Sequence, residues 1–298
     1  LKYQLLNPTT GELLAKGLCE RIGIDGLFTY KPQLPGKEAI KAASVSMPTH
    51  SEAIQAVLNA LVDEKNGVIG SMKEIDAVGH RVVHGGEKFA KSVVITDEVM
   101  QAIEECNPLA PLHNPANIIG IKACQELMPG VPMVAVFDTA FHQTMPPVAY
   151  TYALPYEYYE KDKVRRYGFH GTSHKYIARK TAEYLGKPLN ELRSITMHLG
   201  NGSSMSCVKD GKCFDTSMGL TPLEGLIMGT RCGSIDPAIV PFVMEKKSLS
   251  PAEADTLMNK KSGLLGLCGY TDMRDVHSQV EKGNERTALA LQMLVRSI

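Results

Sequence analysis

Two arginines beside glycine-rich turns have the chemistry of anion ligands. Arg81 precedes Gly85 and Gly86, and Arg231 lies within Gly229-Thr230-Arg231-Cys232-Gly233. A guanidinium offers a planar fork of N–H donors that matches a phosphate or carboxylate, and glycine lets the backbone approach the same anion. A single arginine of this kind more often forms a surface salt bridge, so both interpretations stay open at this point.

A glycine- and serine-rich turn is a second candidate anion site. The apolar run Ser194 to Leu199 is followed by Gly200-Asn201-Gly202 and a second run, Met205 to Val208; Asp210-Gly211 then precedes Lys212 to Thr216. Asn-Gly and Asp-Gly favour the positive φ of two-residue hairpin turns, so the pattern predicts three strands joined by two tight turns. Backbone N–H groups and hydroxyls in such a turn can bind phosphate oxygens, although an ordinary hairpin has the same residues.

Histidines in or beside turns raise the question of a zinc site. His80 and His84 are spaced i to i+4, as are His170 and His174, which on a helix would place both imidazoles on one face. The first pair lies in a strand-like run, where this spacing separates the side chains by about 13 Å. The second pair lacks the Glu of an H-E-x-x-H site. A histidine that faces developing phosphoryl charge, or a hydrogen-bonded structural histidine, is therefore the better interpretation.

Three aspartates could lie near a magnesium ion. Asp138 follows the apolar strand run Val131 to Phe137, and in alternating β/α chains ligands gather beyond such strand ends. Asp215 and Asp272 are the others. Magnesium needs only one or two carboxylates together with substrate phosphates. The absence of G-x-x-x-x-G-K-[ST] excludes a P-loop, and the absence of H-R-D with D-F-G excludes a protein kinase.

The elements that must position these residues alternate between strands and helices. Capping boxes at Thr49 and Ser250 begin helices, and N-caps are expected at Thr96 and Asn114. Further predictions are a buried strand at Ile75 to Val83, a helix that ends at Leu185, an amphipathic helix at Glu285 to Ile298, a glycine-punctuated loop at Gly263 to Gly269, and a non-helical connection around Pro146 to Tyr156. A hairpin at Leu1 to Gly17 has the same strand-turn-strand pattern as Met205 to Thr216, which suggests an internal duplication.

Composition favours small-molecule partners. Lysine plus arginine balances aspartate plus glutamate at 32 each, so no basic face indicates nucleic acid. Seven cysteines without a C-x-x-C pair suit reduced thiols in a cytoplasmic protein. No apolar run of membrane-spanning length and no signal-peptide pattern is present, so a membrane location is not expected.

Several long motifs resemble the acetate kinase (acetokinase) family, which belongs to the superfamily of acetate and sugar kinases, heat-shock ATPases and actin. The motifs are GHRVVHGGEKF (79–89), PLAPLHNPANI (108–118), VFDTAFHQTMP (136–146), RRYGFHGTSH (165–174), HLGNGSSM (198–205), MGLTPLEGLIMGTRCGSIDP (218–237) and SGLLGLCGYTDMRD (262–275). The resemblance implies an α/β fold of duplicated ribonuclease H-like (actin-like ATPase) domains, in which helices flank mixed β-sheets and the active-site cleft lies between the domains. The expected domains are residues 1–140 and 141–298, the second of which binds nucleotide.

The resemblance also implies an activity, the reversible in-line transfer of the γ-phosphoryl group of ATP to acetate, which gives acetyl phosphate and ADP. The family's catalytic residues correspond to Asp138, His170, Arg81 and Arg231. Asp138 would lie near the metal, and His170 would be the transition-state donor. Arg81 and Arg231 would hold the carboxylate and the phosphoryl group. The acetate methyl pocket corresponds to Val83, Leu112, Phe169 and Pro222. The nucleotide-phosphate hairpin corresponds to His198, Leu199, Gly200, Asn201 and Gly202, and the adenosine-side loop to Asp272, Met273 and Arg274.

The resemblance further implies Mg²⁺ or Mn²⁺ as cofactor, ATP and ADP as co-substrates, a cytoplasmic homodimer, and no nucleic acid or membrane partner. Family members begin before Leu1 and continue beyond Ile298, and we expect Mg²⁺ ligands in those segments. A chain truncated at both ends in this way should be weakly active or inactive. The alternatives are a propionate or butyrate kinase of the same family and, from another class, a non-catalytic actin-like nucleotide-binding module.

Overall fold

The structure, a computed structural model, describes residues 1–111 and 113–298. Leu112, one of the predicted pocket residues, lies outside the described residues. The chain divides into two compact units. The first unit contains Leu1–Arg81, Val93–Asn107 and Pro111–Ala135, and the second contains Val82–Ser92, Pro108–Ala110 and Val136–Ile298.

The first unit begins with a four-stranded antiparallel sheet in the order β1-β2-β3-β4. Its strands are β1 (Lys2–Leu6), β2 (Leu13–Glu20), β3 (Leu27–Pro32) and β4 (Ile40–Ser44). The predicted opening hairpin is therefore confirmed. Its turn is stabilised by the Asn7 side chain, which accepts hydrogen bonds from the N–H groups of Thr9 and Thr10.

Three helices also belong to the first unit: α1 (His50–Val62), α2 (Asp97–Glu105) and α3 (Asn114–Leu127). The Thr49 capping box of α1 and the Thr96 N-cap of α2 are confirmed. The N-cap of α3 is His113 and not Asn114, because the helix begins one residue earlier than predicted. The apolar stripe of α1 is buried, and α1 packs against α3 and β3.

A three-stranded sheet in the order β5-β7-β6 lies mainly in the first unit. Its strands are β5 (Val78–Val82), β6 (Val93–Val94) and β7 (Met133–Phe137). Strand β5 starts three residues later and ends one residue earlier than predicted. Its residues alternate between partly buried and exposed positions up to the buried Val82, so most of the strand is not buried as predicted. Before it, Ser71 caps a 3₁₀ turn at Met72–Glu74. Strand β7 ends at Phe137 as predicted, and the next residue, Asp138, donates its N–H to the Val82 carbonyl at 3.0 Å.

The second unit contains the predicted hairpin sheet, in the antiparallel order β10-β9-β8. Its strands are β8 (Arg193–Leu199), β9 (Ser203–Lys209) and β10 (Lys212–Thr216). Asp210 and Gly211 both have left-handed φ, as predicted. The other turn differs: Leu199 pairs with Ser203, so Gly200–Gly202 is a three-residue loop, and neither Asn201 nor Gly202 has a left-handed φ.

The remaining described helices belong to the second unit. They are α4 (Pro147–Tyr150), α5 (Glu157–Asp162), α6 (Gly171–Leu185), α7 (Ile239–Lys247), α8 (Pro251–Lys260), α9 (Gly263–Cys268), α10 (Met273–Glu281) and α11 (Glu285–Ser297). Further 3₁₀ turns lie at Asn107–Leu109, Ala140–Thr144 and Leu189–Glu191. The Ser250 capping box and the C-terminal amphipathic helix are confirmed. No helix of the described part of the chain is long and apolar enough to cross a membrane.

Two predictions about this unit were wrong. Residues 263–268 form a helix and not a loop. Gly263 starts α9, Gly266 lies within it, and Gly269 ends it with φ +85°. A left-handed glycine is a common helix stop. The connection around Pro146 contains α4, in which Pro147 occupies the first turn, a position where proline is tolerated.

Candidate functional site

The loop Gly200–Gly202 brings together three of the residues predicted to act on phosphate. A methyl group added at Gly202 would lie 3.2 Å from Arg231 Nη1 and 3.4 Å from His170 Nε2. The backbone of the loop, the guanidinium and the imidazole therefore border the same small space. Such a space, with a guanidinium on one side and an imidazole on the other, suits a phosphate oxygen.

Arg231 is half-buried and has no carboxylate within ion-pair distance among residues 1–111 and 113–298. Its Nη1 donates to the Pro222 carbonyl at 3.0 Å and lies 3.8 Å from Met228 Sδ. Burial lowers the pKa of Arg231 below its ordinary value. A partly desolvated guanidinium that is not neutralised by the protein favours binding of an external anion.

The segment that carries Arg231 is fixed by the start of α9. Its Leu264 and Leu265 N–H groups donate to the Met228 and Gly229 carbonyls, each at 2.9 Å. These backbone donors are among those that a helix start leaves without an intrahelical partner. Gly263, with φ +61°, has no room for a side chain, since a Cβ there would lie 2.6 Å from the Arg231 carbonyl oxygen. The helix that sequence reasoning missed therefore determines where the Arg231 backbone lies.

The Arg231 segment also contacts the loop Gly200–Gly202 directly. This loop is named the phosphate loop below, after the ligand that the sequence predicts for it. The Gly229 N–H donates to the Asn201 carbonyl at 3.1 Å. A Cβ at Gly229 would lie 2.1 Å from Asn201 Oδ1, so any side chain there would displace Asn201. The predicted turn and the predicted arginine segment consequently form one packed unit.

His170 lies at the N-cap of α6 with φ 57° and ψ 21°. This left-handed conformation is uncommon for a residue other than glycine and often marks a functional constraint. The ring stacks on His198, with centroids 4.0 Å apart. The next residue, Gly171, donates its N–H to the Asp138 carbonyl at 2.9 Å. Asp138, which is 2% exposed, is thereby held beside the start of α6.

A network of buried hydroxyls and imidazoles supports His170, and most of its members were not predicted. Ser204 Oγ lies 2.8 Å from His170 Nδ1 and 2.7 Å from His174 Nε2. His174 Nδ1 lies 2.8 Å from Thr196 Oγ1, and His198 Nδ1 lies 2.9 Å from Ser173 Oγ. The i to i+4 spacing of His170 and His174 was the available signal, since it places both rings over the first turn of α6.

Burial sets the charge state of His174 and of the neighbouring His142. Desolvation, together with repulsion from His142 and His198, lowers the pKa of His174 to about 3. Desolvation also lowers the pKa of His142 to about 4. Both rings are therefore neutral at pH 7. Among the described residues no group of three or more His, Cys, Asp or Glu side chains could hold a metal ion.

Two of the residues predicted to form the apolar pocket belong to one buried cluster. Val83 and Phe169 belong to one buried cluster with Met218 and Met228, which are 0% and 1% exposed. Pro222 is half-buried and contacts the site through its carbonyl, which accepts from Arg231. Sequence reasoning missed the two methionines because neither lies in a periodic apolar pattern.

The remaining predicted residues lie in other elements of the described chain. Arg81 is an exposed residue of β5 in the first unit. Asp272 is the N-cap of α10, and its carboxylate pairs with Arg274 at 2.6 Å, which lowers the pKa of Asp272 to about 2. No hydrogen bond or ion pair of Asp272, Met273 or Arg274 reaches the phosphate loop within the described residues. Asp215 lies in β10 at a register shift against β9, and its side chain accepts from the N–H of Thr216 at 2.8 Å.

The chain is similar to kinases of known sequence and structure. The sequence model of the Acetokinase family matches residues 1–298. The acetate kinase of Desulfovibrio desulfuricans is 65% identical over 100% of this chain, which spans 74% of that protein. The crystal structure of Porphyromonas gingivalis acetate kinase has a TM-score of 0.92 and 49% identity, and covers 98% of this chain and 73% of that one. A propionate kinase from Francisella tularensis has a TM-score of 0.91 and 44% identity, with the same two coverages.

The fold-class prediction is thereby confirmed: the chain has the α/β fold of the acetate and propionate kinases, with several sheets flanked by helices. A match over the whole chain, together with high identity to a curated relative, shows the family. The chain belongs to the acetokinase family.

Proposed function

We propose that this protein catalyses the reversible transfer of the γ-phosphoryl group of ATP to acetate, which gives acetyl phosphate and ADP. Family membership supports this activity. The observation that carries it in this chain is the convergence of Arg231 Nη1 and His170 Nε2 on the space beside Gly202. A phosphoryl-transfer transition state needs positioning and positive charge more than covalent chemistry, and this arrangement supplies both.

In this proposal the γ-phosphoryl group lies at the Gly202 loop, where the backbone and Arg231 bind its oxygens. A carboxylate oxygen of acetate forms a bond to the γ-phosphorus as the bond between that phosphorus and the bridging oxygen of ADP breaks. Arg231 and His170 stabilise the charge on the transferred group. An arginine in this role can contribute about 10³ to 10⁵ in rate.

In this proposal the protein binds both the carboxylate and the methyl group of acetate. The assignment of the acetate carboxylate to Arg81 rests on the family motif alone. The cluster of Val83, Phe169, Met218 and Met228 supports a small apolar pocket for the methyl group. Methionine side chains are flexible and fill irregular space, so propionate is the second candidate substrate, in keeping with the propionate kinase among the structural neighbours.

Mg²⁺ fits this site only if the phosphates of ATP supply some of its ligands. The described residues offer no cluster of three metal-binding side chains, and Mg²⁺ at nucleotide sites usually needs one or two carboxylates in addition to phosphates. Asp138, a buried carboxylate, is the residue that would hold it. When bound, the ion would shield the phosphate charges. A homodimer, a cytoplasmic location and the adenosine-side role of Asp272, Met273 and Arg274 are further proposals that rest on the family resemblance.

The test measures ATP binding by calorimetry and acetyl phosphate formation by trapping with hydroxylamine. Arg231→Ala should weaken ATP binding and reduce acetyl phosphate formation by at least about 10³. Arg179→Ala, which removes an exposed arginine of α6, is the matched control and should change neither. If the unsubstituted chain neither binds ATP nor forms acetyl phosphate, or if Arg231→Ala behaves like the control, the proposal is wrong.

A further inference from the structure

We infer that Glu224 is a positioning residue, which places the Arg231 side chain relative to His170 through an ion pair with Arg166. The effect of Glu224 on phosphoryl transfer rests on the proposed function. The order of the Arg231 side chain, by contrast, can be measured without any activity, so the two can be tested separately.

The Glu224 carboxylate binds two partners, one with each oxygen. Oε1 accepts from Arg166 Nη2 at 2.7 Å, and Oε2 accepts from the Tyr152 hydroxyl at 2.6 Å. The side chain of Arg166 is 18% exposed and that of Glu224 is 35% exposed, so water screens this ion pair less than a fully exposed one. Charge-assisted hydrogen bonds of this kind are short and strong. They fix Glu224, and with it the end of the 217–224 loop.

The same guanidinium also binds the start of this loop. Arg166 Nη1 lies 2.9 Å from the first and 3.3 Å from the second and third of the successive carbonyls of residues 216–218. The Tyr152 hydroxyl accepts from the Leu220 N–H at 3.1 Å, in the middle of the loop. A guanidinium has a planar fork of donors that can bind a carboxylate and carbonyls at the same time, whereas an ammonium has no such fork.

The loop supplies a partner of the Arg231 side chain. Helix α9 fixes the backbone of the Arg231 segment, but the guanidinium donates from Nη1 to the Pro222 carbonyl at 3.0 Å. Pro222 lies two residues before Glu224 and has no N–H with which to fix its own peptide. Loss of the Glu224 contacts should therefore move the Pro222 carbonyl and release the guanidinium.

The segment 166–170, which carries the imidazole, runs beside the same loop. The N–H groups of Tyr167 and Gly168 both donate to the Gly219 carbonyl, at 3.1 and 3.2 Å. A Cβ at Gly219 would lie 2.0 Å from Glu224 Oε2, so the carboxylate packs directly on the loop backbone. The ion pair thus joins the segment that leads to the imidazole with the loop that binds the guanidinium.

Nitrogen-15 relaxation of the arginine Nε–H groups in the full chain measures how firmly the Arg231 side chain is fixed. Without ligand we expect an ordered Arg231 in the unsubstituted chain and, in Glu224→Ala, an order parameter in the range of flexible groups, below about 0.6. Glu183→Ala is the matched control, since it also removes a carboxylate from an ion pair, with Lys180 at 2.6 Å on the surface of α6. It should leave Arg231 unchanged.

Arg166→Lys tests the same link from the other side. It keeps the positive charge but cannot bind Glu224 and the carbonyls of residues 216–218 together, so it should also loosen Arg231. It decides the matter if Glu224→Ala does not fold. An unchanged Arg231 in a folded Glu224→Ala or Arg166→Lys variant overturns the inference. If neither variant folds, the ion pair is a requirement of the fold and the inference is equally overturned.

Calorimetry with ATP distinguishes positioning from a general loss of structure. Glu224→Ala should weaken ATP binding by about 10-fold, the effect of one hydrogen bond to a charged group. Glu224→Gln, which keeps an oxygen for Arg166, should recover most of the affinity. When Arg231→Ala is already present, Glu224→Ala should weaken binding by less than about twofold, because effects that pass through one group are not additive.

Equal effects of Glu224→Ala with and without Arg231 would mean that Glu224 does not act through the guanidinium, and the inference would be wrong. A chain that does not bind ATP, but in which Glu224→Ala loosens Arg231, contradicts the proposed function and not the positioning role.

Discussion

Gly202→Ala is the sharpest probe of the phosphate site, because the substitution adds one methyl group between two proposed donors. The new Cβ would lie 3.2 Å from Arg231 Nη1 and 3.4 Å from His170 Nε2. Both contacts are tight but involve side chains that can move. Gly202 does not have a left-handed φ, so alanine causes no backbone strain. We expect the free energy of unfolding to change by less than about 1 kcal/mol, since overpacking a flexible site costs less than overpacking a core.

Binding should respond much more strongly than stability. A phosphate oxygen bound to both donors would lie about 2.7 to 2.9 Å from each nitrogen, in the space that the methyl group fills. The loss of one charge-assisted hydrogen bond costs about 1.5 to 3 kcal/mol, which corresponds to a roughly 10- to 100-fold weaker affinity. Isothermal titration calorimetry with ATP measures this change directly, and thermal unfolding measures the stability.

Gly120→Ala is the control, since a Cβ at this glycine of α3 meets no atom of the described residues within 4 Å. It should stabilise the first unit by about 0.5 to 1 kcal/mol, the usual gain for alanine over glycine within a helix, and leave the ATP affinity unchanged. If Gly202→Ala binds ATP within twofold of the unsubstituted chain, phosphate does not occupy the space between Arg231 and His170, and our placement of the γ-phosphoryl group is wrong.

Three other outcomes test the site and its buried groups. Arg231→Ala should not destabilise the fold by more than about 1 kcal/mol, because no protein carboxylate loses its partner; a larger drop in urea unfolding would mean that the guanidinium is structural. Val83→Ala should raise the kcat/KM of propionate relative to acetate by about 10-fold, the effect of one methylene in an apolar pocket, whereas Val57→Ala, in the core of α1, should leave the ratio constant. His142 has its pKa lowered from 6.5 to about 4 in the folded chain, so the unfolded chain binds more protons and stability should fall as the pH drops from about 6.5 to 4, by roughly 3 kcal/mol from this group. Urea unfolding at several pH values should show a weaker pH dependence in His142→Gln, and an equal dependence would assign it to other groups.

The parts of the fold that could be predicted are those with local signals. Thr49 and Ser250 begin helices because their side chains satisfy N–H groups a few residues away, and Asp210-Gly211 forms a tight turn because of its own backbone preference. Glycine was the less reliable signal. Gly263 and Gly269 mark the two ends of a short helix, although closely spaced glycines in a sequence suggest a loop.

The parts of the site that could not be predicted depend on contacts between distant segments. Ser204 meets His170 and His174 only because β9 packs against the start of α6, and Met218 joins Val83 through packing that no sequence pattern records. The motifs identified Arg231, His170 and Asn201, and the structure brings them into one site.

The anchoring of the Arg231 segment by α9 also has a consequence for the order of folding during synthesis. The carbonyls of Met228, Gly229 and Thr230 find their hydrogen-bond donors at Leu264, Leu265 and Ser262. A nascent chain that has left the ribosome only as far as α8 can form the hairpin β8–β9, but it lacks the donors that fix this arginine. The phosphate loop should therefore form first, and the backbone of the Arg231 segment should be fully fixed only after α9 has been translated.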